Sequence, residues 1–339
     1  MKKEFLLLIL FVFISGCITP QTPEEIVEKD NIPLSDKILE QMQEVDGNST
    51  KRDVGTLKTL DELEIEEKNK VFEEYKSTFG NELNIESWAY QLKNYTYADL
   101  RSANVDLLVI DYEESHLTRG LIEELREEKY VVSYLNIGEA EDYRSYWNYT
   151  WKIGEQKFLD EENPEKIGHY RVEFWNESWK GIVFKRIDRI INLGYDGVYL
   201  DGIATYEFYE NRYSDVQDEM IKFVYEIFAY ARAKDENFII IAQNSPELIQ
   251  YSAYRSFVEG IGKEDSFYDD NSDISHKTWA KEDLEHTREW LRQGKIVLAI
   301  DYVTREDLKP IFEEKARSEG FIPFVSTREL DNLDYLENE

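Results

Sequence analysis

The chain has 339 residues, 42% of them hydrophobic and 14% aromatic, and its 71 acids against 40 lysines and arginines give a formal net charge of −31. The length suffices for one domain of about 250 residues plus appendages. So acidic a balance excludes nucleic acid as a partner, because phosphate binding needs a basic face; it fits a solvated Glu- and Lys-rich surface and a field that attracts cationic substrates.

In chain order, Lys2 and Lys3 precede an apolar run at 5–14, shorter than the roughly 20 residues a membrane-spanning helix needs. The run ends Ile14-Ser15-Gly16-Cys17, which resembles the lipobox of prokaryotic lipoproteins. Residues 1–17 are therefore expected to be a signal peptide, with Cys17 lipidated and the protein held at the extracellular face of the cell membrane; a plain secretory peptide is the other reading. One acyl chain anchors only marginally, so stable attachment implies two or more. Cys17 is the sole cysteine, which leaves no intrachain disulfide and no cysteine zinc site. Residues 18–56, poor in apolar side chains, read as a flexible tether. Residues 57–82 carry Leu60, Leu63, Val71, Phe72 and Tyr75 among many charges and read as an amphipathic helix.

From residue 83 to 339 an alternation sets in. Short apolar runs predict strands at 87–92, 105–110, 130–136, 195–200, 238–242, 256–261, 295–300 and 321–325. Helical patterns lie between them. The clearest covers 176–193, with Trp179, Ile182, Val183, Ile187, Ile190 and Ile191 at helical spacing and Gly194 at the position that ends a helix. The patterns at 96–101 and 245–251 are weak, and Pro310 restricts the last helix to a start later than Thr304 suggests. Eight strands alternating with helices is the count of a single-domain (β/α)8 TIM barrel of class α/β. An open doubly wound sheet is the rival, but no Gly-rich phosphate loop follows the first strand.

The strands end on polar residues: Asp111, Asn136 with Glu139 beyond it, Asp201, Gln243 with Asn244, Glu264 with Asp265, and Asp301. In a barrel such positions converge on one cleft. A ring of carboxylates suits either metal-assisted hydrolysis or glycoside cleavage, in which one acid donates a proton and another attacks or activates water. His116, His169, His276 and His286 all lie off the strand ends, which argues against a transition metal and leaves an all-oxygen magnesium or calcium site open. Any single strand-end acid can instead cap a helix or pair with a cation. Trp88, Tyr90, Tyr112, Tyr134, Tyr206, Tyr268 and Tyr302 flank the same ends, and sugar rings stack on such faces. The long connection 137–175, with Tyr143, Tyr146, Trp147, Tyr149 and Trp151, is expected to form part of a substrate groove. Asn94, Asn148 and Asn176 begin sequons of the glycosylation type.

Five blocks carry a resemblance: Trp88-Ala89-Tyr90-Gln91-Leu92, residues 106–111, Tyr134-Leu135-Asn136-Ile137-Gly138-Glu139, residues 194–201 and residues 262–268. Together, across roughly 85–330, they resemble family 114 of the glycoside hydrolases, (β/α)8 barrels whose characterised members are endo-α-1,4-polygalactosaminidases. The resemblance implies Asp201 as nucleophile or base and Glu264 as general acid, with no metal and no cofactor. Ser266 stands where many members have a cysteine. The substrate-binding set expected from the strand ends and these blocks is Trp88, Gln91, Asp111, Tyr112, Tyr134, Asn136, Glu139, Asn244, Tyr268, Asp301 and Tyr302. The implied substrate is an amino-sugar polysaccharide; de-acetylated galactosamine polymer is cationic, which the acidic balance fits. A surface lipoprotein that binds a polysaccharide without cleaving it is the alternative.

Overall fold

The computed structural model describes residues 83–331; the expected signal peptide with Cys17, the 18–56 tether and the 57–82 helix lie outside the described residues. The parallel strands are β1 (Trp88–Tyr90), β2 (Leu107–Ile110), β3 (Tyr130–Asn136), β7 (Gly197–Asp201), β8 (Ile239–Gln243), β9 (Gly260–Glu264), β12 (Ile296–Asp301) and β13 (Ile322–Val325), hydrogen-bonded in that order. This is a nearly closed (β/α)8 barrel. At the seam between β13 and β1 the Trp88 indole donates to the Ile322 carbonyl at 2.9 Å, and the Leu92 amide donates to the Leu330 carbonyl at 2.8 Å.

Helices cover the sheet: α1 (Tyr97–Ser102), α2 (Arg119–Leu125), α3 (Glu177–Leu193), α4 (Thr205–Tyr209), α5 (Val216–Arg232), α6 (Ser252–Ser256), α7 (Thr278–Arg292) and α8 (Lys309–Glu319). Caps fix their ends. Asn176 accepts the Ser178 amide at 3.0 Å to start α3, so the sequon there is a helix cap, and Gly194 ends the helix at φ 88°, where a side chain would be strained. The weak pattern near 96–101 is α1, started by a reciprocal Thr96–Asp99 capping box. The one at 245–251 is a 3-10 turn over Pro246–Gln250. Pro310 sits in the first turn of α8, where its missing N–H costs nothing.

One expectation needs correction. The sixth strand is Gly260–Glu264 rather than 256–261, because α6 ends at Ser256 and the apolar pair Phe257-Val258 packs outside the strand. Its glycines hid it from a pattern of apolar residues. They are required by close neighbours: a Cβ on Gly260 would come within 2.2 Å of Ile296, and one on Gly262 within 1.7 Å of the Tyr199 hydroxyl. The connection 137–175 folds into an antiparallel sheet of β4 (Glu139–Glu141), β6 (His169–Val172) and β5 (Leu159–Glu162), and a short antiparallel pair, β10 (Tyr268–Asp269) and β11 (Ser272–Asp273), follows β9.

The barrel interior is aromatic. Tyr199 packs against Tyr90 and Trp88, with ring centroids 5.0 and 6.2 Å apart, and Trp88 packs on Phe324 at 5.6 Å. Such contacts add about 0.5–1.5 kcal/mol each beyond the area they bury. They fill the floor beneath the strand ends.

Candidate active site

Side chains two residues apart on a strand face the same way. In β7, Tyr199 and Asp201 therefore point together into the barrel, and in β9 so do Gly262 and Glu264. The Tyr199 ring crosses the interior to lie against Gly262, and its hydroxyl has no hydrogen-bond partner among the described residues. One layer above this bridge, at the carboxyl ends of β7 and β9, stand Asp201 and Glu264, each half-buried.

Each acid is held by neutral donors. The Tyr134 hydroxyl donates to Asp201 Oδ2 at 2.7 Å and the Gly202 amide to Oδ1 at 2.7 Å. Asn244 Nδ2 donates to Glu264 Oε2 at 2.8 Å, the Asn244 Oδ1 accepts the Glu264 amide at 3.1 Å, and the Tyr302 hydroxyl donates to Oε1. Below them the Tyr90 hydroxyl donates to Gln243 at 3.3 Å. Burial pushes the Asp201 carboxyl above its ordinary value and Glu264 adds to the rise, while Lys166, the Tyr134 hydroxyl and the Gly202 amide pull it back. The charge of Glu264 thus reaches Asp201 across the pit.

Lys166 was not among the expected residues. It lies in the turn between β5 and β6, and Asp201 is the first of the charges that hold its ammonium above the usual lysine value; burial opposes, and Glu264, Glu139 and Glu141 add to the rise. In sequence Asn163-Pro164-Glu165-Lys166 reads as an ordinary surface turn, and Lys166 does keep an exposed side chain; the pairing of β6 with β4 holds it near enough for its charge to act on Asp201.

The other expected residues divide. Asn136 shapes the turn beside the pit, its Oδ1 accepting the Gly138 and Glu139 amides at 3.1 and 2.8 Å and its Nδ2 lying 3.5 Å from the Tyr134 hydroxyl. Glu139 accepts Asn163 Nδ2 at 2.7 Å and meets His169 Nδ1 at 3.2 Å; burial works against its charge, but these partners hold its carboxyl below the ordinary value. Gln91 ties down its own loop through the Lys93 and Asn94 carbonyls at 2.9 and 3.2 Å.

Five are placed elsewhere. Trp88 is buried in the barrel floor. Asp111 is sealed against Arg144, and Tyr112 lies between Glu113, which accepts its hydroxyl at 2.6 Å, and Arg186. Tyr268 turns outward to Lys315, whose ammonium is 3.2 Å from its hydroxyl. Asp301, fully buried, accepts the Ser266, Phe267 and Tyr268 amides at 2.6, 2.9 and 2.8 Å and so fixes the loop after β9. Asp265 pairs with Arg328 at 3.0 Å. Among the described residues Asp201 and Glu264 have no cation within 4.0 Å, in contrast to Asp111 and Asp265. No three His, Cys, Asp or Glu side chains among the described residues converge as metal ligands.

A family model described as glycoside-hydrolase family GH114 matches residues 71–339. An uncharacterised protein of Methanocaldococcus jannaschii is 40% identical over 272 residues, covering 73% of this chain and 77% of its own. One from Thermotoga maritima is 34% identical over 285 residues, covering 77% and 87%. Among solved structures, the glycoside hydrolase domain of PelA from Pseudomonas aeruginosa is similar with a TM-score of 0.59 at 18% identity, over 74% of this chain and 98% of that one. Aspergillus fumigatus Ega3 in complex with galactosamine gives 0.58 at 19%, over 73% and 93%. At these identities the structural likeness speaks for the fold.

Proposed function

Because this chain belongs to glycoside-hydrolase family GH114, we propose that the pit above Tyr199 is the active site of an endo-acting glycosidase that cleaves an amino-sugar polysaccharide of the galactosamine type. One observation carries the assignment of the catalytic pair. Asp201 and Glu264 face one pit and carry only phenol and amide donors, where neighbouring strand-end acids are spent on arginines or backbone amides. Glu264 then protonates the glycosidic oxygen as the bond breaks, and Asp201 attacks the anomeric carbon or activates the water that does. Burial and Glu264 raise the Asp201 carboxyl, and Lys166 and the Tyr134 hydroxyl oppose that rise, toward the ionised form that this role requires. Tyr302 and Asn244 fix both oxygens of Glu264, so it meets the leaving oxygen in one orientation.

Support for the sugar comes from the galactosamine bound by Ega3 and from a net charge of −31, which raises the local concentration of a cationic polymer. Export and lipid anchoring through Cys17, with 18–56 as spacer, complete the reading. Cys17→Ser should release the protein from the membrane fraction; unchanged membrane retention would remove the anchor.

The test of the activity is oligosaccharide release from α-1,4-polygalactosamine, read by mass spectrometry. The purified protein should release it, and Asp201→Asn and Glu264→Gln should each lose it while keeping the wild-type melting curve. A wild-type protein that binds the polymer yet yields no product is a binding protein, and the hydrolase reading falls.

A further inference from the structure

A groove of about 1100 Å³ runs along the outside of α3, away from the pit. It exists because the crossover before β3 has little helix. α2 has 7 residues and α3 has 17, about 10 Å against 25 Å of helix, and residues 111–118 descend as an irregular strap. Ile182, Lys185, Arg186 and Arg189, at spacings that share one helix face, are left lining the open side. Tyr146 and Trp151, from the connection after β4, form the other wall.

The charge of this groove runs against that of the chain. In a protein of net charge −31 it gathers Arg119, Lys185, Arg186 and Arg189 against one acid, Glu113. Arg119 is paired with Glu123 at 2.7 Å, whereas among the described residues Lys185 and Arg189 have no carboxylate within 4.0 Å. Arg186 is only 4% exposed, its guanidinium carbon 5.7 and 5.1 Å from the ring centroids of Tyr112 and Tyr146. Its Nε donates only to the Tyr112 oxygen, at 3.3 Å, and both terminal nitrogens lack a hydrogen-bond acceptor among the described residues; Glu141 stands off at 3.9 Å. Glu113 does not make up the deficit. Its oxygens take the Tyr112 hydroxyl at 2.6 Å and the Ser145 amide at 3.0 Å, and it lies 3.7 Å from Arg186. Glu113 and Glu141 balance the Arg186 charge from a distance, but both terminal nitrogens keep unfilled N–H donors behind the groove wall, and the exposed Lys185 and Arg189 above them add two unpaired charges that an anion seated in the groove would match.

We propose that this groove is a second saccharide site that takes one acidic sugar unit, its carboxylate or phosphate toward Lys185 and Arg189, over the buried charge of Arg186, and its ring against Tyr146, Trp151 and Ile182. A single charge is the fit, because the field of the rest of the chain repels a polyanion or an anionic membrane. The site is independent of the activity proposed for the pit.

The test titrates the purified full chain with galacturonic acid, neutral galactose, inorganic phosphate and phosphatidylglycerol vesicles, read by calorimetry and by intrinsic tryptophan fluorescence. Galacturonic acid should saturate, phosphate should bind more weakly, and galactose and vesicles should not bind. The Lys185→Gln/Arg189→Gln double variant should weaken galacturonic acid at least tenfold with polymer cleavage unchanged. If the double variant does not fold, each single variant, on an exposed side chain, should weaken it at least threefold. Equal binding of galactose, binding to vesicles alone, or undiminished affinity in folded variants overturns the proposal.

Discussion

Arg144→Met tests how the acids around the pit are held apart from it. The side chain is almost wholly buried and gives Nε and Nη2 to Glu141 at 2.8 and 2.9 Å and Nη1 to Asp111. Burial alone would raise Glu141, but Arg144, with Arg186 and the Tyr143 hydroxyl, more than offsets it and holds that carboxyl at about 2 against an ordinary 4.5. A carboxyl depressed this far stabilises the fold by about 3 kcal/mol at neutral pH. Because the carboxyl is depressed, the contribution is present above pH about 4.5 and drains away as pH falls toward 2, leaving about 1 kcal/mol at pH 3. The variant also strands Asp111, so the total loss at pH 7 should reach about 4–5 kcal/mol, the upper end for a broken buried pair. Urea unfolding followed by tryptophan fluorescence at pH 7 and pH 3 measures both values. A loss below about 1 kcal/mol at pH 7, or one that fails to shrink at pH 3, would refute the reasoning.

Other predictions concern the pit itself. Tyr134→Phe removes a donor that lowers the Asp201 pKa, so the acid limb of the pH–rate profile should move to higher pH, with a loss of about tenfold at the optimum; a limb that stays put contradicts the role of Asp201. Lys166→Met removes the charge that most favours ionised Asp201 and should shift the same limb in the same direction, while an opposite shift would place the lysine elsewhere. In Gly262→Ala the new Cβ would meet the Tyr199 hydroxyl at 1.7 Å, so the ring must leave the floor. The expected cost is about 3 kcal/mol, a Tm lower by roughly 6–12 °C, and calorimetry showing no change would mean the floor yields freely.

The barrel was legible where burial on both faces left an unbroken apolar run, as in Leu107–Ile110, and where a cap and a glycine bracketed a periodic helix, as at Asn176 and Gly194. It was illegible at β9, where space for Tyr199 and Ile296 demanded glycines in place of the apolar side chains that announce a strand. The site was legible as a set of strand-end positions but not as a selection among them. Asp111, Asp201 and Asp301 each close an apolar run and look alike in sequence. What separates them lies far along the chain or in the backbone: Arg144 for Asp111, three loop amides for Asp301, and for Asp201, among the described residues, no arginine and the single amide of Gly202. Trp88 shows the same limit, since an aromatic near a strand end reads as a sugar platform whether it faces the pit or, as here, the floor.

Whether Asp201 and Glu264 form one catalytic unit is measured most directly by a double-mutant cycle on polymer cleavage with Asp201→Asn, Glu264→Gln and the pair combined. Groups that act in a single step lose their effect together, so the double variant should be about as inactive as either single one, each down by roughly 10³-fold or more. Losses that multiply in the double variant, or a single variant that retains wild-type turnover, would contradict the account.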